Sequence, residues 1–323
     1  MQRATFTLIP TPPYDFALTA LHATYGRGRY GADSFEDGVF RRLLDLGGDT
    51  LALATVRSTD TMNKPKLAVE LQGPSLGKTA VAVAKRQVAW LLDTAHDITH
   101  FYRMAKRDPV LRKLVANLHG LHLAHTLSVY EALVLAILGQ QISGHVARML
   151  RTLLIQTYGP SLEVGGVTYF AFPRPESLVA AGIDGLRKIK FSGRKSEYIA
   201  DIATRVASGD LDLEALRTLP DDEAVDALVR IRGVGLWTAN WVFIRALGRP
   251  DGLPHGDLAL QRTLGMLVNG GKAMSADEAL AYSERWKPFR SYVTAYLFAA
   301  IRTGGVERLT AEGAEDAGKK GRP

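Results

Sequence analysis

The sequence predicts an α+β N-terminal domain followed by an all-α core, and three observations carry that prediction. Strand-like alternation is confined to the first hundred residues. Helical periodicity takes over from about Val110 and continues to Arg302. Within the helical part, two apolar segments are separated only by Gly233-Val234-Gly235, which leaves room for a tight hairpin and little else. The expected divisions are an α+β domain over residues 1–110, a helical core of two subdomains over 111–305, and a disordered tail over 306–323.

In chain order, residues 5–10 read as a strand, and residues 15–25 place Phe16, Leu18 and Leu21 at helical spacing. Residues 51–57 and 66–72 alternate with period two across a polar segment containing Asn63 and Pro65, the pattern of a β-hairpin. Residues 79–93 return to a helical period. Beyond Val110 no further strands are expected. Breaks fall at Tyr158-Gly159-Pro160, Phe172-Pro173, Ser208-Gly209-Asp210, Leu219-Pro220 and Arg249-Pro250. Helices are expected over 194–207 and 224–229, directly after Gly235, and from Leu258. The tail has too few apolar residues to pack.

Composition narrows the class. The chain has 323 residues, 46% hydrophobic and 23% charged, ordinary for a soluble globular protein. No apolar run approaches the roughly 18 residues of a membrane span, and no signal-peptide pattern opens the chain. A cytoplasmic protein without membrane partners is expected. The absence of cysteine excludes disulfides, thiolate zinc sites, cysteine nucleophiles and cysteine-ligated iron–sulfur clusters. Net charge is +7, and the tail contributes four basic and four acidic residues, so the excess lies in the folded part. It is densest at Arg187, Lys188, Lys190, Arg194 and Lys195, around Phe191-Ser192-Gly193. A solvated loop is one reading. The Ser-Gly step before a helix favours the other, a phosphate contact through Ser192, Gly193, Arg194 and Lys195.

Three patterns lack the context their chemistry needs. Gly26-Arg-Gly-Arg-Tyr-Gly31 matches a dinucleotide loop but follows a helix rather than a strand. His96 and His100 have the spacing of a zinc helix, yet Asp97 stands where a general-base Glu belongs and no third ligand is apparent. His119, His122 and His125 would spread around a helix axis. No metal site built from side chains is expected.

The Gly-Val-Gly segment has better context. Leu228-Val229-Arg230-Ile231-Arg232 precedes it, and Trp237-Thr238-Ala239-Asn240 opens a helix behind it. Two glycines permit positive φ and close approach of another backbone. The unpaired N–H groups of the following helix then form a site for an anion such as a phosphate. A plain helical turn with a C-cap glycine is the alternative. Downstream, Asp257 in Leu253-Pro254-His255-Gly256-Asp257-Leu258 is placed to cap a helix. That position also suits a carboxylate that must face developing positive charge. Trp237 and Trp241, four apart, share one helix face, as a ligand pocket or as core.

These residues resemble the helix-hairpin-helix DNA glycosylase superfamily, and most of all its 3-methyladenine DNA glycosylase II type. Pro12-Pro13-Tyr14-Asp15-Phe16 is similar to that family's N-terminal element, Gly139-Gln140-Gln141-Ile142-Ser143 to its Gly-Gln-x-x-Ser helix, and residues 282–292 to its closing helix. The resemblance covers about residues 1–305 in order. It implies a TBP-like antiparallel sheet ahead of the helical core. It also implies damaged double-stranded DNA as partner, a monomer working at the nucleoid, and no cofactor beyond a monovalent cation on hairpin backbone carbonyls.

Such an enzyme rotates the damaged nucleotide out of the stack before acting on it. The resemblance assigns Arg232, Gly233, Val234, Gly235 and Thr238 to the DNA backbone and Gln141 to the wedge that fills the vacated stack. It places Trp237, Trp241, Phe298, Tyr14, Phe16 and Gln140 around the base and makes Asp257 the catalytic carboxylate. Aromatic faces attract cations, which suits N-alkylated purines. Strand-nicking members carry a lysine nucleophile at the position of Trp237, so simple base release is expected here. The rivals are a bifunctional glycosylase/lyase of oxidised bases and a non-catalytic DNA-binding module in which Asp257 is only a cap.

Overall fold

Strands whose faces differ in polarity must pair before helices can cover them, and the N-terminal part does so. In the computed structural model, residues 1–26 and 28–306 are described. β1 (Gln2–Leu8), β2 (Arg29–Tyr30), β3 (Asp33–Glu36), β4 (Val39–Asp45), β5 (Leu51–Ser58) and β6 (Leu67–Gly73) form one antiparallel sheet in the order β1-β6-β5-β4-β3-β2. The expected hairpin is β5–β6, with Val56 opposite Val69. β2, β3 and β4 were not foreseen. In β4, Phe40, Leu43 and Leu44 are all buried, so the strand shows no alternation for a sequence pattern to catch.

α1 (Phe16–Ala23) is capped by Asp15, whose carboxylate accepts from Leu18 N at 2.9 Å. α2 (Lys78–Leu91) lays Ala84, Val88 and Leu91 on the sheet against Phe40, Val56 and Val69. The helical body contains α3 (Thr99–Ala105), α4 (Pro109–Asn117), α5 (Val129–Gly139), α6 (Gly144–Tyr158), α7 (Pro175–Lys188) and α8 (Gly193–Ala207). It continues with α9 (Asp221–Val229), α10 (Leu236–Arg245), α11 (Leu258–Val268), α12 (Ala276–Ser283) and α13 (Arg290–Arg302). α5 to α10 share one core, with Leu133, Ile137, Leu154, Ile199, Leu228 and Val242 at its centre. α3, α4 and α11 to α13 share another around Phe101, Leu114, Leu264, Trp286 and Tyr296.

Three expectations need correction. Strands do not end before residue 110: β7 (Ser161–Val164) and β8 (Val167–Phe170) form a hairpin turned by Gly165 and Gly166 at φ of 60° and 77°. Its Leu162, Val164 and Tyr169 cover Leu43 and Leu53 of the sheet, a tertiary reason invisible locally. The closing segment 282–292 is not one helix; Glu284–Trp286 is a 3₁₀ turn and α13 starts only after Pro288, which has no N–H to continue a ladder. Val306, assigned to a disordered tail, is 2% exposed in the second core. The rest of that tail, 307–323, lies outside the described residues.

A buried ion network joins the sheet to the helices. Arg42 on β4 holds Asp33 at 3.0 Å and Glu131 on α5 at 2.9 Å, and Arg151 on α6 approaches Asp33 at 3.4 Å. Removing one member of such a buried pair typically costs about 3–5 kcal/mol. The network fixes α5, whose C-terminal end enters the functional site. Among the described residues, no helix is long and apolar enough to cross a membrane.

Candidate active site

Gly233 sits at φ +86°, a conformation that side chains resist. The ring of Tyr198, from α8, fills the space beneath it: a Cβ there would stand 2.3 Å from Tyr198 Cδ2. Gly233 therefore answers two demands, the turn and the close packing. Val234 N donates to Ile231 O at 3.0 Å, which tightens the hairpin. Gly235 then caps α10 with extended backbone and no side-chain bond, so the first-turn N–H groups of α10 face outward. Arg232 is exposed, paired with Glu197 at 3.1 Å and lying over Tyr198.

Beside the hairpin is a cavity of about 1180 Å³, lined by the end of α5, the start of α6, α10, the start of α11 and α13. Asp257 lies on its wall and caps α11: Oδ1 accepts from Ala259 N at 2.9 Å and from Leu260 N at 3.3 Å. Its other oxygen accepts from Trp237 Nε1 at 2.9 Å. One carboxylate is thus clamped by a helix terminus and by an aromatic residue of the helix that follows the hairpin. Trp237 and Trp241 meet edge-on at 6.3 Å, and Trp241 meets Phe298 edge-on at 5.2 Å, giving an aromatic wall. Gln140 links this wall to the hairpin, its Nε2 donating to Gly233 O and to Thr238 Oγ1, each at 2.9 Å.

The structure thus brings together Asp257, Trp237, Trp241, Phe298, Gln140 and Gln141. Gln141 stands exposed on the rim with φ +55°. Other expected site residues lie elsewhere. Tyr14 and Phe16 are 3% and 6% exposed in the core under the sheet, and Tyr14 Oη donates to Leu92 O at 2.9 Å; packing α1 on the sheet claims them, not the cavity. Lys195 turns inward, its Nζ donating to Leu138 O at 2.8 Å and Gln140 O at 2.6 Å, so it closes the carboxyl end of α5 instead of meeting a phosphate. Burial lowers its pKa from the usual lysine value. Thr238 and Val234 are buried, which leaves only their backbone to face a phosphate. Ser192, Gly193 and Arg194 are exposed at the start of α8, the helix that carries Tyr198.

Tyr25, Arg245 and Arg302 also line the cavity and were not foreseen. Arg302 lies over the Tyr25 ring at 4.2 Å and over Phe298 at 5.7 Å, and Arg245 over Tyr25 at 5.3 Å. Burial pushes the Tyr25 phenol up, but Arg245, Arg302 and Arg151 outweigh it and hold the group below its ordinary value. A signal for the two arginines existed. Each lies four residues beyond a pocket aromatic, Trp241 or Phe298, and so on the same helix face. Tyr25 follows α1 in a left-handed turn and gave no such signal.

Comparison with known proteins gives the family. Residues 134–288 match the family described as HhH-GPD superfamily base excision DNA repair protein. The chain is 37% identical to a DNA-3-methyladenine glycosylase of Bacillus subtilis (strain 168), over 65% of this chain and 69% of that protein. It is 32% identical to DNA-3-methyladenine glycosylase 2 of Escherichia coli (strain K12), over 91% of this chain and 96% of that protein. Among solved structures it is similar to 3-methyladenine DNA-glycosylase from Archaeoglobus fulgidus, with a TM-score of 0.80 and 26% identity over 92% of this chain and 98% of the other. With its hairpin, capping aspartate and aromatic cavity, the chain belongs to the HhH-GPD superfamily of base excision DNA repair proteins, on the side of the DNA-3-methyladenine glycosylases.

Proposed function

We propose that this protein is a monofunctional DNA glycosylase, acting as a monomer at the nucleoid. It flips an alkylated base of the 3-methyladenine or 7-methylguanine type out of duplex DNA and hydrolyses the N-glycosidic bond, leaving an abasic site. The observation that carries this reading is the Asp257 carboxylate, clamped on the cavity wall by Trp237 and the α11 terminus. N-alkylation places positive charge on a purine and weakens its bond to the sugar. A fixed carboxylate then stabilises the oxocarbenium-like sugar electrostatically, and little protonation of the leaving base is needed.

The placement of amines supports simple base release without lyase chemistry. Trp237 occupies the position of the lysine nucleophile, and no described residue lining the cavity is a lysine. Lys195, the nearby candidate, has its protons committed to two carbonyls. On the DNA side, the α10 terminus with Gly233 and Gly235 receives a phosphate, Arg232 and the exposed start of α8 flank it, and Gln141 enters the stack. A monovalent cation on the hairpin carbonyls belongs to this reading; because Gly233 O already accepts from Gln140, the ion must share that oxygen or use its neighbours.

One observation favours a broader substrate range. Arg302 already covers the faces of Tyr25 and Phe298, so attraction for a cationic base rests on Trp237 and Trp241. The positive charge of Arg245 and Arg302 on this wall suits neutral lesions, such as hypoxanthine, beside cationic ones. The test incubates the protein with methylated and with hypoxanthine-containing duplexes, identifies released bases by chromatography, and adds borohydride in parallel. Base release without a trapped adduct is expected. A covalent adduct overturns the monofunctional reading, and no release from any substrate overturns the activity.

A further inference from the structure

We propose that Asp93, His96 and His125 form a site for a divalent transition metal of the zinc class, at the seam between the sheet and the helical body. The site is separate from the cavity, and the proposal does not depend on the glycosylase reading. Asp93 follows α2 and is buried. Its two oxygens have different neighbours. Oδ2 accepts from Leu123 N at 3.2 Å and lies 3.3 Å from His122 Nδ1. Oδ1 faces His96 Nδ1 in hydrogen-bond contact and His125 Nε2 at 3.5 Å. His122 is committed elsewhere as well, its two ring nitrogens facing Asp93 O at 2.9 Å and Pro13 O at 3.2 Å. One carboxylate oxygen and two imidazole nitrogens therefore converge, and these three ligand atoms all lie within 4.8 Å of one another.

The independent observation is His125. It is 2% exposed, its Nδ1 has no hydrogen-bond partner, and its Nε2 has no closer polar contact than Asp93 Oδ1 at 3.5 Å. A buried polar group left unsatisfied is costly and calls for an explanation. The ring stacks on Trp90 at 4.3 Å, which fixes its plane with Nε2 directed at Asp93. Tetrahedral zinc with bonds of about 2.0–2.1 Å holds its ligand atoms roughly 3.4 Å apart, so a small adjustment brings this trio into place. The His96 side chain is 41% exposed, which opens the fourth position to water.

The rejected spacing of His96 and His100 does include one of these ligands. His100 is exposed beside Arg103, whereas the second and third ligands are Asp93 and His125, the latter 29 residues away in sequence. The role is structural. His125 N already donates to Leu91 O at 3.0 Å, so the metal would add a second tie between the end of α2 and the segment leading into α5.

The test uses the full chain freed of any histidine tag, stripped with a chelator, and titrated with Zn²⁺. Co²⁺ serves as the spectroscopic probe. One Zn²⁺ per chain is expected, with visible Co²⁺ bands and a higher unfolding temperature in the presence of Zn²⁺. His96→Ala, at a half-exposed position that tolerates change, and His125→Gln should each weaken binding by at least about 100-fold, since even outer-shell losses reach 10–100-fold. His100→Ala should bind as wild type. No stoichiometric uptake, or uptake that survives either His96→Ala or His125→Gln, overturns the site and leaves a metal-free Asp–His hydrogen-bond cluster.

Discussion

Two aspartate–tryptophan pairs in this molecule are built alike and stand in opposite surroundings. Asp108 caps α4 with Oδ1, accepting from Val110 N at 2.9 Å and Leu111 N at 3.0 Å, while Oδ2 accepts from Trp286 Nε1 at 2.9 Å. Asp257 caps α11 in the same way and accepts from Trp237 Nε1, also at 2.9 Å. Trp286 is fully buried at the centre of the second core. Trp237 is half-buried on the cavity wall. The local device is therefore structural in origin, a cap plus an indole donor. On the proposed reading, its place beside an open cavity and the Gly233–Gly235 hairpin is what makes one copy chemical. The other copy is an internal control.

The largest expected effect separates the two. Asp257→Asn keeps a capping oxygen but removes the charge, and base release should fall by about 10²–10³-fold, the scale of a lost electrostatic contact to a transition state. Its unfolding temperature should move by no more than about 2 °C, because water reaches the half-exposed indole. Asp108→Asn sets an amide N–H against the buried indole N–H and should cost about 1–3 kcal/mol of stability with base release unchanged. Both are measured by chromatography of released base and by thermal unfolding. Wild-type release by Asp257→Asn would reduce Asp257 to a second Asp108.

The same contrast explains what was legible beforehand. Asp257, Trp237 and Trp241 were readable because caps and same-face pairs are local in sequence. Asp108 and Trp286 are the same chemistry 178 residues apart, and no local spacing joins them. Tyr14 and Phe16 were misplaced for that reason too: an aromatic near the N-terminus carries no mark of whether the core or the cavity will claim it. Lys195 read as a surface cation because its carbonyl partners belong to α5, more than fifty residues upstream. The β7–β8 hairpin escaped notice since its apolar side chains are explained only by the sheet they cover.

Two glycines sharpen the comparison between open and filled helix termini. Gly233→Ala forces a Cβ into Tyr198 at positive φ, and affinity for abasic-site DNA should fall by about 10–100-fold, with hairpin strain of order 1–3 kcal/mol. Gly209→Ala is the control. It shares the positive φ, but a Cβ there meets nothing within 4 Å, so DNA affinity should not change. Gly235 has space for a side chain and a φ of −103° that any residue adopts. Gly235→Asp would therefore cap α10 as Asp257 caps α11, closing the phosphate site with a like charge. Affinity should drop about tenfold, and the slope of log affinity against log salt should shrink by about one. An unchanged salt slope would show that α10 does not hold a phosphate.

The smallest effect tests the clamp itself. Trp237→Phe keeps an aromatic wall and deletes only the Nε1–Oδ2 bond, so Asp257 stays capped but loses its second anchor. Base release should slow by about tenfold or less, the worth of one hydrogen bond to a charged group in a site that water can enter. Stability should barely change. Trp286→Phe makes the identical deletion at a fully buried tryptophan, where the smaller ring also leaves a void, and there the loss should appear in unfolding temperature and not in rate. If both substitutions cost stability alike and neither slows base release, the tryptophan at 237 is a packing residue. Its bond to Asp257 would then be no more chemical than its counterpart at 286.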